Sequence, residues 1–300
     1  MGGEWQMRYA FFPGCVSQGG APELYPATRA VADKLGFELI EMEDVGCTGA
    51  GVLSREVSDP INARTFAKAE AMGLPIMTIC STCQGVMTQA NHRLKDDEYR
   101  NQINQKFLLE EGLEYKGTTD IRHMLWAIVE DHGLDKLKEM VVRPLNGMPI
   151  AHFYGCYLKR PPELMVPKEF EKTRKTALED VIEALGGKAI RSSGRGKCCG
   201  FPILTSNEEN SLAMCGDHIL DAKEKGAMAM VTPCPLCHLE LDGKQADAAA
   251  HKGQEINVPI LHLPQLVGLA LGFSSKEMNL QRHLVSTTPI EDWISAEVKA

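Results

Sequence analysis

The sequence of 300 residues lacks an excess of positive charge, because 32 Lys and Arg stand against 40 Asp and Glu. The formal net charge of -8 repels phosphate backbones and anionic lipids, so we expect no nucleic-acid partner. Long hydrophobic runs are missing too: the apolar stretch at 266–273 is far shorter than the roughly 20 residues that a membrane-spanning helix needs. We therefore expect no transmembrane segment.

Targeting and cofactor signatures are also absent. Residues 1–13 lack the cationic start and apolar run of a secretory signal, so we expect a cytoplasmic protein. Neither a GxGxxG dinucleotide fingerprint nor a ferredoxin-type CxxCxxCxxxCP run occurs. If the protein handles electrons, they must therefore pass through partner proteins.

Cysteine, in contrast, is abundant, with ten residues. Cytoplasmic thiols are kept reduced, so this number favours metal binding or redox chemistry over disulfides. Nine of the ten form a pattern in which each half has a lone cysteine, a middle cysteine site and a closing CxxC pair. They are Cys15, Cys47, Cys80 and Cys83 in the first half, and Cys156, Cys198, Cys199, Cys234 and Cys237 in the second.

The two halves match beyond their cysteines, which indicates a tandem duplication. The matched segments, in the same order in both halves, include 11–15 with 152–156, 46–49 with 197–200, and 75–83 with 229–237. Thr48 thus stands where the second half has Cys199. We predict a first domain over 1–146, a second over 147–275 and a polar tail over 276–300.

Short apolar runs that end at cysteine-bearing turns predict buried strands at 8–12, 76–79, 150–154 and 228–232. Helical length and periodicity mark 23–35, 60–72, 83–94, 170–185 and 207–224. Pro60 and Pro162 fall where a helix start tolerates proline. Alternating strands and helices predict an α/β fold, with the cysteine sites at the carboxyl ends of short parallel strands.

The number of thiols narrows the chemistry. Five cysteines in the second half exceed the four ligands of a tetrahedral zinc ion and favour an iron–sulfur cluster. The CxxC pairs are also consistent with thioredoxin-like dithiols, and residues 234–238 match the CxxCH haem-attachment string. Haem attachment requires export, and paired CxxC motifs with distant matched cysteines favour cluster binding over dithiols.

The duplicated pattern Cys … Cys-Cys-Gly … CxxC over residues 8–275 resembles the CCG-domain proteins. It is most similar to the B-type subunit of heterodisulfide reductases and of the related complexes of sulfur-oxidising bacteria. The resemblance implies disulfide, thiol or sulfane-sulfur redox chemistry, a flavoprotein partner, a ferredoxin-like partner, and a thiol, disulfide or lipoate-bound sulfur substrate. It also implies a noncubane [4Fe-4S] cluster bound by Cys156, Cys198, Cys199, Cys234 and Cys237.

The first half departs from this family pattern at Thr48, whose hydroxyl is a poor ligand for cluster iron. Four thiols remain, and they suit a cubane [4Fe-4S] cluster or a structural zinc. They are Cys15, Cys47, Cys80 and Cys83. We therefore expect unequal centres, an electron relay in the first half and a reactive centre in the second.

Lys159 and Arg160 follow Cys156 closely and are either solvated surface charges or attract an anionic thiol substrate. Two other functions stay open. One is a CCG electron-transfer subunit of a hydroxyacid or glycerol-phosphate dehydrogenase that passes electrons to quinone, and the other is a zinc-stabilised binding module without redox activity. We expect structural roles for a core thiol and three hydrogen-bonded histidines, Cys215, His92, His123 and His262.

Overall fold

The computed structural model describes residues 7–296, so the outer ends of the predicted domain 1–146 and tail 276–300 lie outside the described residues. Each half forms a parallel four-stranded sheet. The strands are β1 (Met7–Phe12), β2 (Phe37–Glu41), β3 (Ile76–Thr78), β4 (Ile121–His123), β5 (Pro149–His152), β6 (Lys188–Ile190), β7 (Ala229–Thr232) and β8 (Ile260–His262). The strand orders are β2-β1-β3-β4 and β6-β5-β7-β8. The predicted α/β fold and its duplication are confirmed.

Helices connect the strands, as parallel neighbours require. In the first half they are α1 (Leu24–Leu35), α2 (Arg55–Met72), α3 (Ser81–Arg93), α4 (Asp97–Ile103), α5 (Met124–Trp126) and α6 (Leu134–Glu139). In the second half they are α7 (Pro162–Met165), α8 (Glu171–Arg174), α9 (Ala177–Ala184), α10 (Glu208–Glu224), α11 (Pro235–Gly243), α12 (Gln245–Lys252), α13 (Leu263–Ala270) and α14 (Thr288–Ala296). Within residues 7–296, no helix combines the length and apolar character needed to cross a bilayer.

The prediction that a helix starts at Pro60 is wrong, because α2 begins at Arg55 and contains Pro60 in its second turn. Ser54 precedes α2 with the extended backbone of an N-cap, and Glu56 places a carboxylate in the first turn. Both features favour a helix start there. The helix therefore tolerates the one backbone hydrogen bond that proline removes.

The single helix predicted over 170–185 is also wrong, since α8 and α9 are separate. The Lys159 ammonium group donates hydrogen bonds to the carbonyls of Arg174 and Lys175, at 2.7 and 3.0 Å. These carbonyls are thereby withdrawn from a continuous helix. The contact joins residues distant in sequence, so periodicity does not reveal it.

Both hydrophobic cores contain residues from both halves. Helix α1 of the first half packs against α13 of the second. One core includes Phe11 and Leu266, and the other includes Phe66 and Phe153. We propose residues 146 and 147 as the domain boundary, between α6 and β5, but the two sheets fold around shared apolar contacts.

The predicted tail contributes to the first of these cores. Ile290 and Ile294 of α14 are buried in it. The Trp293 indole N–H donates a 3.1 Å hydrogen bond to the Leu145 carbonyl. The described part of residues 276–300 is therefore packed against the fold.

Two histidines hold the halves together reciprocally. Nε2 of His123, at the end of β4, lies 2.9 Å from the carbonyl of Pro233, and Nε2 of His262, at the end of β8, lies 3.1 Å from the carbonyl of Ile79. Burial lowers the pKa of His123 to about 4 and that of His262 to about 3, so both rings are neutral. Each half thus donates one hydrogen bond to the turn that carries the other half's CxxC motif.

Tyr157 of the second half packs against Gly85 of α3. A Cβ atom at Gly85 would lie 2.4 Å from Tyr157 Cδ1. We expect Gly85→Ala to destabilise the protein by about 1–3 kcal/mol through overpacking, although alanine stabilises an exposed helix by about 1 kcal/mol relative to glycine. The measurement is thermal unfolding under oxygen-free conditions.

Gly243→Ala in α11 is the matched control. A Cβ atom there meets its nearest atom at an ordinary contact distance, 3.9 Å from Leu284 Cδ1. This variant should be neutral or stabilising. Equal stability of the Gly85 and Gly243 variants would contradict the close packing of Tyr157.

Candidate functional site

The cysteines lie at the carboxyl ends of neighbouring strands. Cys15 and Cys80 follow β1 and β3, and Cys156 and Cys234 follow β5 and β7. Each pair of neighbouring strands is the point where strand order reverses, the position at which α/β sheets bind ligands. The lone cysteine and the CxxC motif of each half therefore meet at one sheet edge.

A glycine before each lone cysteine makes this meeting possible. Gly14 and Gly155 have φ values of +81° and +70°, in the left-handed region that glycine adopts without strain. Cβ atoms built there would lie 3.4 Å from Cys83 Sγ and 3.0 Å from Cys237 Sγ. Glycine thus leaves room for the second sulfur of each CxxC motif.

In the first half, all four predicted cysteines and Thr48 line one cavity. The Cys15 thiol donates to Cys47 Sγ at 3.7 Å, and the Thr48 hydroxyl donates to Cys83 Sγ at 3.6 Å. Cys15 and Cys47 are exposed, whereas Cys80 and Cys83 are buried.

In the second half, all five predicted cysteines line a second cavity. Cys198 hydrogen-bonds with Cys156, and Cys199 with Cys237. These contacts repeat those of the first half, with Cys199 in the place of Thr48. The helix α11 begins directly after Cys234, so its N-terminal dipole favours negative charge on the CxxC sulfurs.

The thiols of each cavity compete for protons. Hydrogen bonding to Cys198 raises the pKa of Cys156 far above its usual range, whereas hydrogen bonds from Cys156 and Cys199 lower the pKa of Cys198. Burial, followed by the charge of Cys47, raises the pKa of Cys15 to about 11. Close thiols cannot all become thiolates unless a cation offsets their charge, and bound metal supplies that charge. The two donor sets, of four and of five sulfurs, therefore fit thiolate-bound metal centres.

The two cavities are adjacent. Cys80 Sγ lies 3.9 Å from Cys234 Sγ, which joins one sulfur of each half. Three residues, Thr82, Phe201 and Leu236, line both cavities. The Thr82 hydroxyl also lies 3.7 Å from Cys234 Sγ.

The two basic residues near Cys156 are placed differently. Nζ of Lys159 lies 3.8 Å from the centroid of the Tyr154 ring and bonds to carbonyls of the α8 region, and burial lowers its pKa to about 8. Its ammonium group is therefore engaged away from the cysteine cavity. Arg160 is exposed and donates a 3.2 Å hydrogen bond to the carbonyl of Gly196, in the loop before Cys198.

The tenth cysteine lies outside both cavities. Cys215 is buried in α10, and its thiol donates to the Glu240 carbonyl at 3.6 Å. Burial raises its pKa. The structure thus separates Cys215 from the nine cysteines of the repeat.

Two residues at the second cavity were not anticipated from the sequence. Tyr157 lines this cavity and contacts both Gly51 and Gly85 of the first half. His218 of α10 lies with Nε2 2.8 Å from the carbonyl of Cys198 and holds the loop of the adjacent cysteines. The position of Tyr157 next to Cys156 was the one available signal, whereas His218 had none.

His238, Asp242 and His283 offer ligand atoms within 4.8 Å of one another. Nε2 of the Gln265 amide lies 2.9 Å from His283 Nε2, and the amide is oriented because its oxygen accepts the backbone N–H of His262. Gln265 therefore donates to His283, which leaves the ring proton on Nδ1. This imidazole has no free lone pair for a metal, so we assign none to this group.

Comparison with known proteins agrees with the duplicated site. The model of the cysteine-rich domain family, CCG, matches residues 9–88 and 150–242, more than half of the chain. A solved structure of a hypothetical protein from Helicobacter pylori has a similar fold, with a TM-score of 0.74 and 17% identity. The match covers 94% of this chain and 52% of that one, so the chain spans about half of its length.

Several named proteins are similar over nearly their whole length. The 8-methylmenaquinol:fumarate reductase membrane anchor subunit of Wolinella succinogenes is 38% identical over 95% of this chain and 99% of its own. The B-type subunit of the ferredoxin/F(420)H(2)-dependent CoB-CoM heterodisulfide reductase of Methanosarcina acetivorans is 28% identical over 93% of this chain and 94% of its own. A protein of Archaeoglobus profundus, named for its likeness to the same type of heterodisulfide reductase subunit, is 29% identical (91% and 93%). The chain therefore belongs to the cysteine-rich CCG domain family, with two copies of the domain, and is homologous to the B-type subunit of heterodisulfide reductases.

Proposed function

We propose that this protein is the iron–sulfur subunit of a heterodisulfide reductase-like complex and carries out disulfide, thiol or sulfane-sulfur redox chemistry. Its homology to proteins named as B-type subunits of heterodisulfide reductases supports an iron–sulfur redox subunit of a multisubunit complex. The observation that carries the proposal is the grouping of nine cysteines around two adjacent cavities, four at one and five at the other.

The proposal assigns a different centre to each cavity. The five sulfurs of the second half hold a noncubane [4Fe-4S] cluster, and the four of the first half hold a cubane [4Fe-4S] cluster. When bound, such clusters supply one-electron redox chemistry and an iron that attracts sulfur. Thr48, in place of a fifth thiol, is the reason for assigning the relay to the first half.

The protein side chains around the second cavity have their own tasks. Tyr157, Phe201 and Leu236 enclose the five sulfurs and exclude water, which strengthens electrostatic interactions inside. The N-terminus of α11 stabilises negative charge on sulfur. Arg160, exposed beside this region, is retained as a candidate for attracting an anionic substrate, whereas the engaged ammonium group of Lys159 favours a structural role.

The same proposal includes a cytoplasmic location and a role in sulfur oxidation, with a flavoprotein and a ferredoxin-like subunit as partners. The contact between Cys80 and Cys234 supports it, because the two centres then adjoin through their ligands. Electrons arriving at the first half thus need no mobile carrier to reach the second.

A second candidate is electron transfer without sulfur-substrate chemistry. It is favoured by the Wolinella relative, whose name identifies a subunit of an 8-methylmenaquinol:fumarate reductase. In that case the protein is a CCG electron-transfer subunit of a quinone-linked complex. The same cysteine cavities serve this function, so chemistry at the second cavity must distinguish the two.

Metal analysis tests the assignment of two clusters. Oxygen-free protein should contain about eight iron atoms per chain, because each cluster holds four, and no stoichiometric zinc. Cys47→Ser and Cys198→Ser should each lose about half of the iron, since each removes a ligand of one cluster. Cys215→Ser is the matched control and should retain all of it. About four iron atoms and about one zinc per chain would contradict the relay assignment.

Electron paramagnetic resonance tests the substrate chemistry. The spectrum of the oxidised protein should change when dithiothreitol is added, because a thiol sulfur reaches iron in the second cavity. This response should be lost in Cys199→Ser and kept in Cys215→Ser. A signal insensitive to thiols would favour the quinone-linked relay, and a silent protein that contains zinc would favour a binding module without redox activity.

A further inference from the structure

Thr48 lies inside the first cysteine cavity as a buried hydroxyl. Its side chain is 1% exposed, and Oγ1 lies 3.6 Å from Cys83 Sγ. Asn62 of α2 fixes the backbone at this position, because its Nδ2 donates to the carbonyls of Thr48 and Ser58, at 3.1 and 2.7 Å. The hydroxyl is thus held against the second sulfur of the CxxC motif.

The second half shows what this position does in the unaltered repeat. There Cys199 hydrogen-bonds with Cys237, just as Thr48 does with Cys83. Both side chains are buried, and both line their cavities. The first half has therefore exchanged a sulfur for a hydroxyl donor without changing the local contact.

We infer that Thr48 is a positioning residue that donates a hydrogen bond to Cys83 and thereby raises the reduction potential of the first-half centre. A hydrogen bond to a ligand sulfur withdraws electron density from it and stabilises the more negative, reduced state of an iron–sulfur cluster. The inference rests on the proposed function, because it needs an iron–sulfur centre at the four cysteines of this half.

Other contacts do not replace this donor. The backbone N–H of Gly49 donates to Cys47 Sγ at 3.4 Å and is unaffected by the identity of residue 48. The Thr82 hydroxyl lies against Cys234, a sulfur of the other half. Removing the Thr48 hydroxyl therefore changes one hydrogen bond to Cys83 while all four thiols remain.

The test compares Thr48→Val, which keeps the size and branching but removes the donor, with Thr48→Ser, which keeps the donor. The readout is the midpoint potential of the first-half centre, measured by an anaerobic redox titration followed by electron paramagnetic resonance. Thr48→Val should have a lower potential than the wild type, and Thr48→Ser should stay close to it. Iron content should remain at the wild-type level in both.

Two further variants complete the design. Thr48→Ala also removes the donor and should shift the potential in the same direction, which covers the case that valine does not fold. Thr28→Val is the control: Thr28 is a fully buried threonine of α1 whose hydroxyl bonds to the Leu24 carbonyl of its own helix. This control should leave the potential unchanged.

The outcomes separate this inference from the function on which it rests. Unchanged potentials in Thr48→Val and Thr48→Ala, with full iron content, would overturn the role of the hydroxyl and leave the proposed function standing. Loss of iron from both variants but not from Thr48→Ser would make the hydroxyl a ligand and overturn its role as a donor. Zinc in place of iron at this site in the wild type would reject the relay centre itself.

Discussion

The contact between the carboxyl ends of the two sheets is the constraint on which the whole arrangement depends. Parallel strands bring cysteines to one edge of each sheet, and the reciprocal bonds of His123 and His262 hold these edges face to face. Both rings are buried and neutral, and each satisfies a carbonyl in a CxxC turn of the other half. Moving one turn therefore costs a hydrogen bond in each half, so neither site is free to shift independently.

Much of the site could be predicted from the sequence, because cysteine spacing records which turns must meet. The lone cysteine and CxxC motif of each half follow strands whose apolar runs are visible in the sequence. Strands β4, β6 and β8 were not predicted because each spans only three residues, too few for a periodic pattern. The engagement of Lys159 with carbonyls near α8 also depends on a long-range contact that local pattern does not contain.

Contacts between the halves were the least visible feature. Tyr157 fits against the first half because Gly51 and Gly85 have no side chains, and neither glycine suggests an aromatic partner when read alone. The same holds for α14, whose buried isoleucines lie in a segment predicted as a polar tail. In both cases the decisive neighbour is far away in the sequence.

The two sites differ in exposure as well as in sulfur number, and this difference fits a division of labour. Cys15 and Cys47 are exposed, whereas Cys199, Cys234 and Cys237 are buried. A redox centre near the surface exchanges electrons with a partner protein, while an enclosed centre keeps water from reactive sulfur. The 3.9 Å contact between Cys80 and Cys234 joins the surface site to the interior site. A duplicated domain thus serves two tasks with one fold, since a threonine at position 48 removes a sulfur from the exposed copy and leaves the enclosed copy complete.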